Sequence, residues 1–92
     1  MSIVVRFTPA NLTSAQYDQT ISALKETGDF PPAGLDSHIC FGADGSLVVS
    51  EVWDSKEQFE AYLPRLMPIL AEAKMEFDGE PAFFEVHNLI KR

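Results

Sequence analysis

Cysteine is nearly absent from this chain. Cys40 is the one thiol in 92 residues, so no internal disulfide can hold the fold together. No apolar run approaches the roughly 18 residues that would suggest a membrane-spanning helix. The opening residues, MSIVVRF, lack a basic stretch followed by a long apolar segment, so no signal peptide is expected. Bases are also scarce, at 7 against 14 acids, for a net charge of −7. Such a surface repels phosphate backbones and anionic lipid headgroups, which argues against nucleic-acid and membrane roles. The two histidines and the cysteine show no HxH or CxxC spacing, so neither a metal site nor a cofactor is expected. A lone thiol without an export signal suggests a reducing cytoplasm. There is no repeat of solenoid period and no low-complexity segment.

What is present is apolar surface. The chain is 46% hydrophobic and 11% aromatic, more than the thin core of one small domain needs. A single domain over residues 1–92 is expected. The surplus can be buried against a second copy of the chain, and a two-fold homodimer is the commonest arrangement.

The organising stretch is residues 47–70, a buried strand that turns through Asp54 and Ser55 directly into a helix. Upstream, residues 3–8 alternate as a strand, with Pro9 ending it for want of an N–H. Thr13 opens a helix, with Gln16 completing a capping box and Leu12 and Tyr17 as a staple. Tyr17, Ile21 and Leu24 make its apolar stripe. Gly28 is the natural residue after its C-terminus.

Residues 35–41 read as a second strand, with Leu35, Ser37, Ile39 and Phe41 on one face and Asp36, His38 and Cys40 on the other. Asp44-Gly45 suits the hairpin turn into the third strand, residues 47–53. Ser55 with Gln58, or Asp54 with Glu57, caps the second helix. Pro64 and Pro68 would leave the carbonyls of Glu60 and Pro64 without helical donors, so a kink or break near Leu63 is expected. Residues 76–81 read as a polar connector, residues 82–90 as the last strand, and Lys91 with Arg92 as a basic end.

The order β-α-β-β-α-β is that of a ferredoxin-like α+β fold, a four-stranded antiparallel sheet with both helices on one face. The first strand then sits between the third and the last. The other sheet face carries apolar residues and calls for a cover.

The run EVWDSKEQFEAYL, in which a strand ending at Trp53 leads to a capped helix, resembles the dimeric α+β barrel superfamily. More closely, together with GLDSHICFG and LMPILAEA, it is similar to small bacterial proteins of the antibiotic-biosynthesis-monooxygenase-like branch. The resemblance implies a homodimer whose sheets pack face to face. It also implies functions that range from cofactor-free oxygenation of aromatic polyketides or quinols, through haem degradation, to simple binding. The haem-degrading pattern fails residue by residue. That subgroup has Trp where this chain has Tyr62, His where it has Glu72, and Asn where it has Phe7.

Candidate chemistry centres on the histidines. Arg6 and Thr8 are expected to share a sheet face with His38 and Cys40. Arg6, Glu85 and His87 are expected to converge, with His38 reaching in from farther away. A histidine fixed by a carboxylate is a plausible general base for taking a proton from a phenol or quinol. His87 and His38 are therefore the candidate catalytic residues, and Trp53, Tyr62, Arg6 and Glu85 the candidate substrate contacts. The opposing reading makes His87 a hydrogen-bonded strand residue, Trp53 a core or interface anchor, Tyr62 a satisfied buried hydroxyl and Cys40 a small buried hydrophobe. Two functions remain open: a monooxygenase-like enzyme acting on a small aromatic, and a non-catalytic small-molecule-binding or interaction protein.

Overall fold

The computed structural model describes residues 2–91, so Arg92 of the basic end lies outside the described residues. Strand β1 (Ile3–Phe7) is followed by a two-residue strand β2 (Pro9–Ala10), helix α1 (Ser14–Glu26), strands β3 (Leu35–Phe41) and β4 (Val48–Trp53), helix α2 (Lys56–Glu72), a short β5 (Glu76–Phe77) and β6 (Ala82–Glu85). Four strands form an antiparallel sheet in the order β3-β4-β1-β6, and β2 pairs with β5 in a second small sheet. Pro9 therefore ends β1 as expected but starts a second pairing. The stretch read as a plain connector supplies its partner, with Pro9 opposite Phe77.

Along β1 and β4 the inward set is Ile3, Val5 and Phe7 with Val49, Glu51 and Trp53. These pack beneath the helices with Leu24, Phe59, Tyr62, Leu66 and Leu70. Helix α1 starts as its cap requires, with the Thr13 hydroxyl accepting from Gln16 N at 3.1 Å. Gln16 does not reach back to complete the box. Its side-chain amide donates instead to the carbonyls of Ala73 and Lys74, at 2.9 and 3.0 Å. Carbonyls at a helix C-terminus lack intrahelical donors, so this bond joins the start of one helix to the end of the other. The β3–β4 turn is tied to the same place, since Asp44 accepts from Ser14 N at 2.7 Å and Gly45 N donates to Leu12 O at 3.0 Å.

Helix α2 departs from expectation. Ser55 is its cap, accepting from Gln58 N at 3.2 Å. The helix then runs unbroken from Lys56 to Glu72 with Pro64 and Pro68 inside it. Glu60, Pro64 and Pro68 lie four apart and are all exposed, so the carbonyls that lose their donors face water, which can replace the missing bonds. Pro64→Ala restores a donor to the Glu60 carbonyl and is expected to raise unfolding free energy by about 1–2 kcal/mol. That is the helical penalty less the entropy proline removes from the unfolded chain. Urea denaturation checks it, and an unchanged midpoint would mean that no bond is recovered.

The last strand is also shorter than its sequence pattern. Ile3 pairs with Glu85, and Val86 N donates to Ser2 O at 3.1 Å. Residues 86–90 lie past the end of β6, so their alternation is not used as strand. No helix is long and apolar enough to cross a membrane among the described residues.

Candidate functional site

Glu51 sits at the middle of β4 on the face that packs against the helices, and only 8% of it is exposed. Directly across the ladder on β3 is His38. Residues opposite one another in an antiparallel pair share a face, so the carboxylate and the imidazole stand side by side. His38 Nδ1 lies 2.6 Å from Glu51 Oε2, and Trp53 Nε1 donates to Glu51 Oε1 at 3.0 Å. Above them, the Tyr17 hydroxyl on α1 lies 2.7 Å from His38 Nε2. The Tyr17 and His38 rings are nearly parallel, with centroids 5.9 Å apart.

The bonds assign the protons. A carboxylate only accepts, so Nδ1 carries the hydrogen, and in the neutral ring Nε2 is then free to accept from the Tyr17 hydroxyl. The result is one directed chain, from Tyr17 through His38 to Glu51, with Trp53 donating to the far carboxylate oxygen. Burial, and then the neighbouring Cys40 and Glu51, push the Tyr17 phenol up to about 12, which keeps it a donor across the neutral range. Burial also raises the Cys40 thiol and, ahead of the nearby Asp29 carboxylate, the Tyr62 phenol.

Two spaces adjoin this chain. An interior cavity of about 50 Å³ is lined by Tyr17, His38, Glu51 and Tyr62 among apolar side chains. An outer cleft of about 290 Å³ opens between α1 and the β3 edge, with Tyr17, Phe30 and Leu35 as walls and Asp36, Ser37 and His38 along one side. Tyr17, Phe30 and His38 border both spaces. Asp36 at the cleft accepts from Lys91 Nζ at 2.5 Å.

The expected residues fall in different places. His38 stands at the centre of the chain, and Tyr62 lines the interior cavity. Trp53 is 1% exposed and lines neither space; it holds Glu51 and packs edge-on against Phe59. Arg6 is not on the face of His38. It pairs with Ser50, donates to the Ser50 hydroxyl at 3.3 Å and lies over the Phe41 ring on the opposite, helix-free face. The expected convergence of Arg6, Glu85 and His87 does not form. Arg6 sits opposite Ala82, three positions from Glu85, and an odd offset puts the two on opposite faces. Glu85 is exposed, and His87 is exposed beyond the end of β6.

Glu51 is the member of this hydrogen-bonded chain that sequence reasoning missed. The signal was available, because alternation through Val49, Glu51 and Trp53 puts a carboxylate in phase with buried neighbours, where an unpaired acid is costly. Among the described residues no group of three or more His, Cys, Asp or Glu is arranged to hold a metal ion.

A scan of protein-family models finds none that matches this sequence, and no curated protein matches it significantly. Solved structures do match. The chain is similar to SnoaB, a cofactor-independent oxygenase from Streptomyces nogalater, with a TM-score of 0.64 and 21% identity over 99% of this chain and 96% of that one. It is similar to a monooxygenase from the gene ActVA-Orf6 of Streptomyces coelicolor, in complex with the ligand nanaomycin D, with a TM-score of 0.61 and 18% identity over 99% and 91% of the two chains. A Nitrosomonas europaea protein of unknown function matches with a TM-score of 0.55 and 18% identity, over 99% and 90%. The chain thus has the ferredoxin-like α+β fold of antibiotic-biosynthesis-monooxygenase-like proteins.

Proposed function

We propose that this fold serves here as a cytoplasmic, homodimeric, cofactor-independent monooxygenase-like enzyme for a small aromatic or quinol-type substrate, with His38 as its base. The observation that carries the reading is the histidine held between Glu51 and Tyr17 beside a cleft large enough for an aromatic ring. A substrate hydroxyl in the cleft donates to the Tyr17 oxygen while the Tyr17 proton passes to His38 Nε2. Glu51 fixes the tautomer and stabilises the imidazolium. The resulting electron-rich anion reacts with O₂. For an anthrone bound as its enol, the ring carbon opposite the enol oxygen becomes a carbonyl with one atom of O₂, and the other leaves as water with the enol hydrogen and that carbon's hydrogen, so no outside reductant is needed. Tyr62 borders the inner end, and Trp53 acts through Glu51.

The fold shared with an oxygenase and a monooxygenase supports the chemistry. The helix-free sheet face supports the dimer. Ile39, Phe41 and Phe84 are exposed there beside half-buried Val4 and Val52. A second copy laid across it dries these residues, and a standard interface needs about 800 Å² from each partner.

The second reading, a non-catalytic binding protein, is favoured by the fact that both His38 nitrogens already have partners and the space beside His38 and Glu51 is only about 50 Å³. Oxygen uptake with a panel of anthrones and hydroquinones separates the two. Turnover is expected, with His38→Gln lowering it at least about 100-fold, His87→Ala leaving it unchanged, and sedimentation at micromolar concentration giving twice the chain mass. Turnover that survives loss of His38 rejects the base, and a stable single copy rejects the dimer.

A further inference from the structure

Next to the inner cavity, and sharing Phe7, Leu70 and Phe77 with it, lies a larger one of about 510 Å³ whose lining includes none of Tyr17, His38 and Glu51. It opens between α2 and the loop leading into β6. Its floor is aromatic, with Phe77, Phe7 and Phe83 grouped around the fully buried Phe59 and successive centroids from Phe77 through Phe7 and Phe59 to Phe83 at 6.1, 5.8 and 5.6 Å. Met67, 52% exposed, forms part of the α2 wall. Two carboxylates stand in the lining, Glu60 on α2 and Glu80 in the loop, and neither has an ion-pair partner among the described residues. The Lys56 ammonium lies 4.6 Å from the centroid of Phe83, so one of these rings already carries a cation.

Each feature selects for the same ligand. The volume lies in the usual range for small-molecule sites and suits a bicyclic apolar body. Phenylalanine faces attract a positive charge through their quadrupole. Two unpaired carboxylates, on a chain with a net charge of −7, concentrate cations and turn away anions. We propose that this cleft binds an organic cation with an aromatic body, of the arylalkylamine class. The body sits on the phenylalanine floor, and the ammonium lies between Glu60 and Glu80. The site adjoins the inner cavity beside His38, with Phe7, Leu70 and Phe77 common to both, but its charged groups are Glu60 and Glu80, so it stands whether or not His38 is a base.

The test titrates the full chain with three probes that share one ring: 2-(1-naphthyl)ethylammonium, the corresponding neutral alcohol, and naphthylpropionate. Affinity is read by calorimetry and position by NMR. The ammonium is expected to bind at least about fivefold tighter than the alcohol, and the carboxylate weakest. Shifts should fall on Met67, Phe77 and Phe83 rather than on His38. Met67→Trp, a change at an exposed position, should fill the space and abolish saturable binding. The Glu60→Gln, Glu80→Gln double variant should bring ammonium and alcohol to equal affinity. Equal binding of alcohol and ammonium to the unaltered chain overturns the proposal, since the cleft would then be an apolar hole without charge preference. So does ammonium binding that survives Met67→Trp, which would place the cation on the acidic surface at large. Absence of saturation at millimolar probe overturns it as well.

Discussion

Glu51→Gln is expected to leave the fold nearly intact and to stop the proposed chemistry. The amide oxygen can still accept from Trp53 Nε1, but its NH₂ now faces His38 where a carboxylate oxygen stood. Two donors cannot face each other, and the imidazole resolves the conflict by changing tautomer. Nδ1 gives up its hydrogen and accepts from the amide, while Nε2 gains one and donates to the Tyr17 oxygen. Only the Tyr17 hydroxyl hydrogen loses its protein acceptor, at a position bordering the open cleft where water can replace it, so the stability cost is about 1 kcal/mol or less. The ring can no longer take a proton from Tyr17, and turnover on any substrate that needs the base should fall by about 100- to 10,000-fold. Nitrogen-15 NMR of His38 reads the tautomer directly, with or without a substrate. An unchanged tautomer in the glutamine variant would falsify the proton assignment. By contrast, Glu51→Leu leaves the His38 and Trp53 N–H groups without an acceptor and should cost about 1–3 kcal/mol for each.

Phe59→Ala should produce the largest loss of stability, about 3–5 kcal/mol. Phe59 is 0% exposed. Its ring meets Phe7 at 5.8 Å, Trp53 at 5.5 Å and Phe83 at 5.6 Å, so truncation opens a hole that three other rings line. The sheet on one side and α2 on the other limit collapse into it, which keeps the cost towards the upper end. A domain this size has about 5–14 kcal/mol in all, so the variant is expected to be partly unfolded or to melt at much lower denaturant. Phe59→Leu retains most of the volume and should cost about 1–2 kcal/mol. Urea titration of the pair gives the comparison, and equal midpoints for the two variants would mean the core repacks freely around this position.

Most of the architecture was legible because it rests on local signals. Ser55 and Thr13 cap the helices by hydroxyl chemistry that any reader of the chain can find, and the placement of β1 between β4 and β6 follows from the element order. The misses have a different origin. How α2 tolerates Pro64 depends on which side of the helix meets water, a tertiary fact. Where β6 stops depends on its register with β1, in which Ile3 lies opposite Glu85, and not on its own alternation. The position of Arg6 relative to His38 depends on the phase of two strands at once, and a single irregularity in β3 upset the alternation used to assign it. The site was half legible for the same reason. A histidine–carboxylate pair was expected, but between Glu85 and His87 of one strand, whereas the pair that forms joins two strands and needs the register to be seen.

That irregularity has a consequence for the site itself. Leu35 and His38 are separated by an odd number of steps, so in a regular ribbon one of them would point away from the helices. In β3, Leu35 lies opposite Trp53 and Ser37 opposite Val52, and Asp36 is left over between them. The surplus residue changes the parity of the strand. Its two halves can then send Leu35 and His38 to the same side, and its own carboxylate, released from the ladder, turns to the mouth of the cleft to meet Lys91. Excising Asp36 would leave both neighbours where they are but strip that entrance of its only anion among the cleft's described residues.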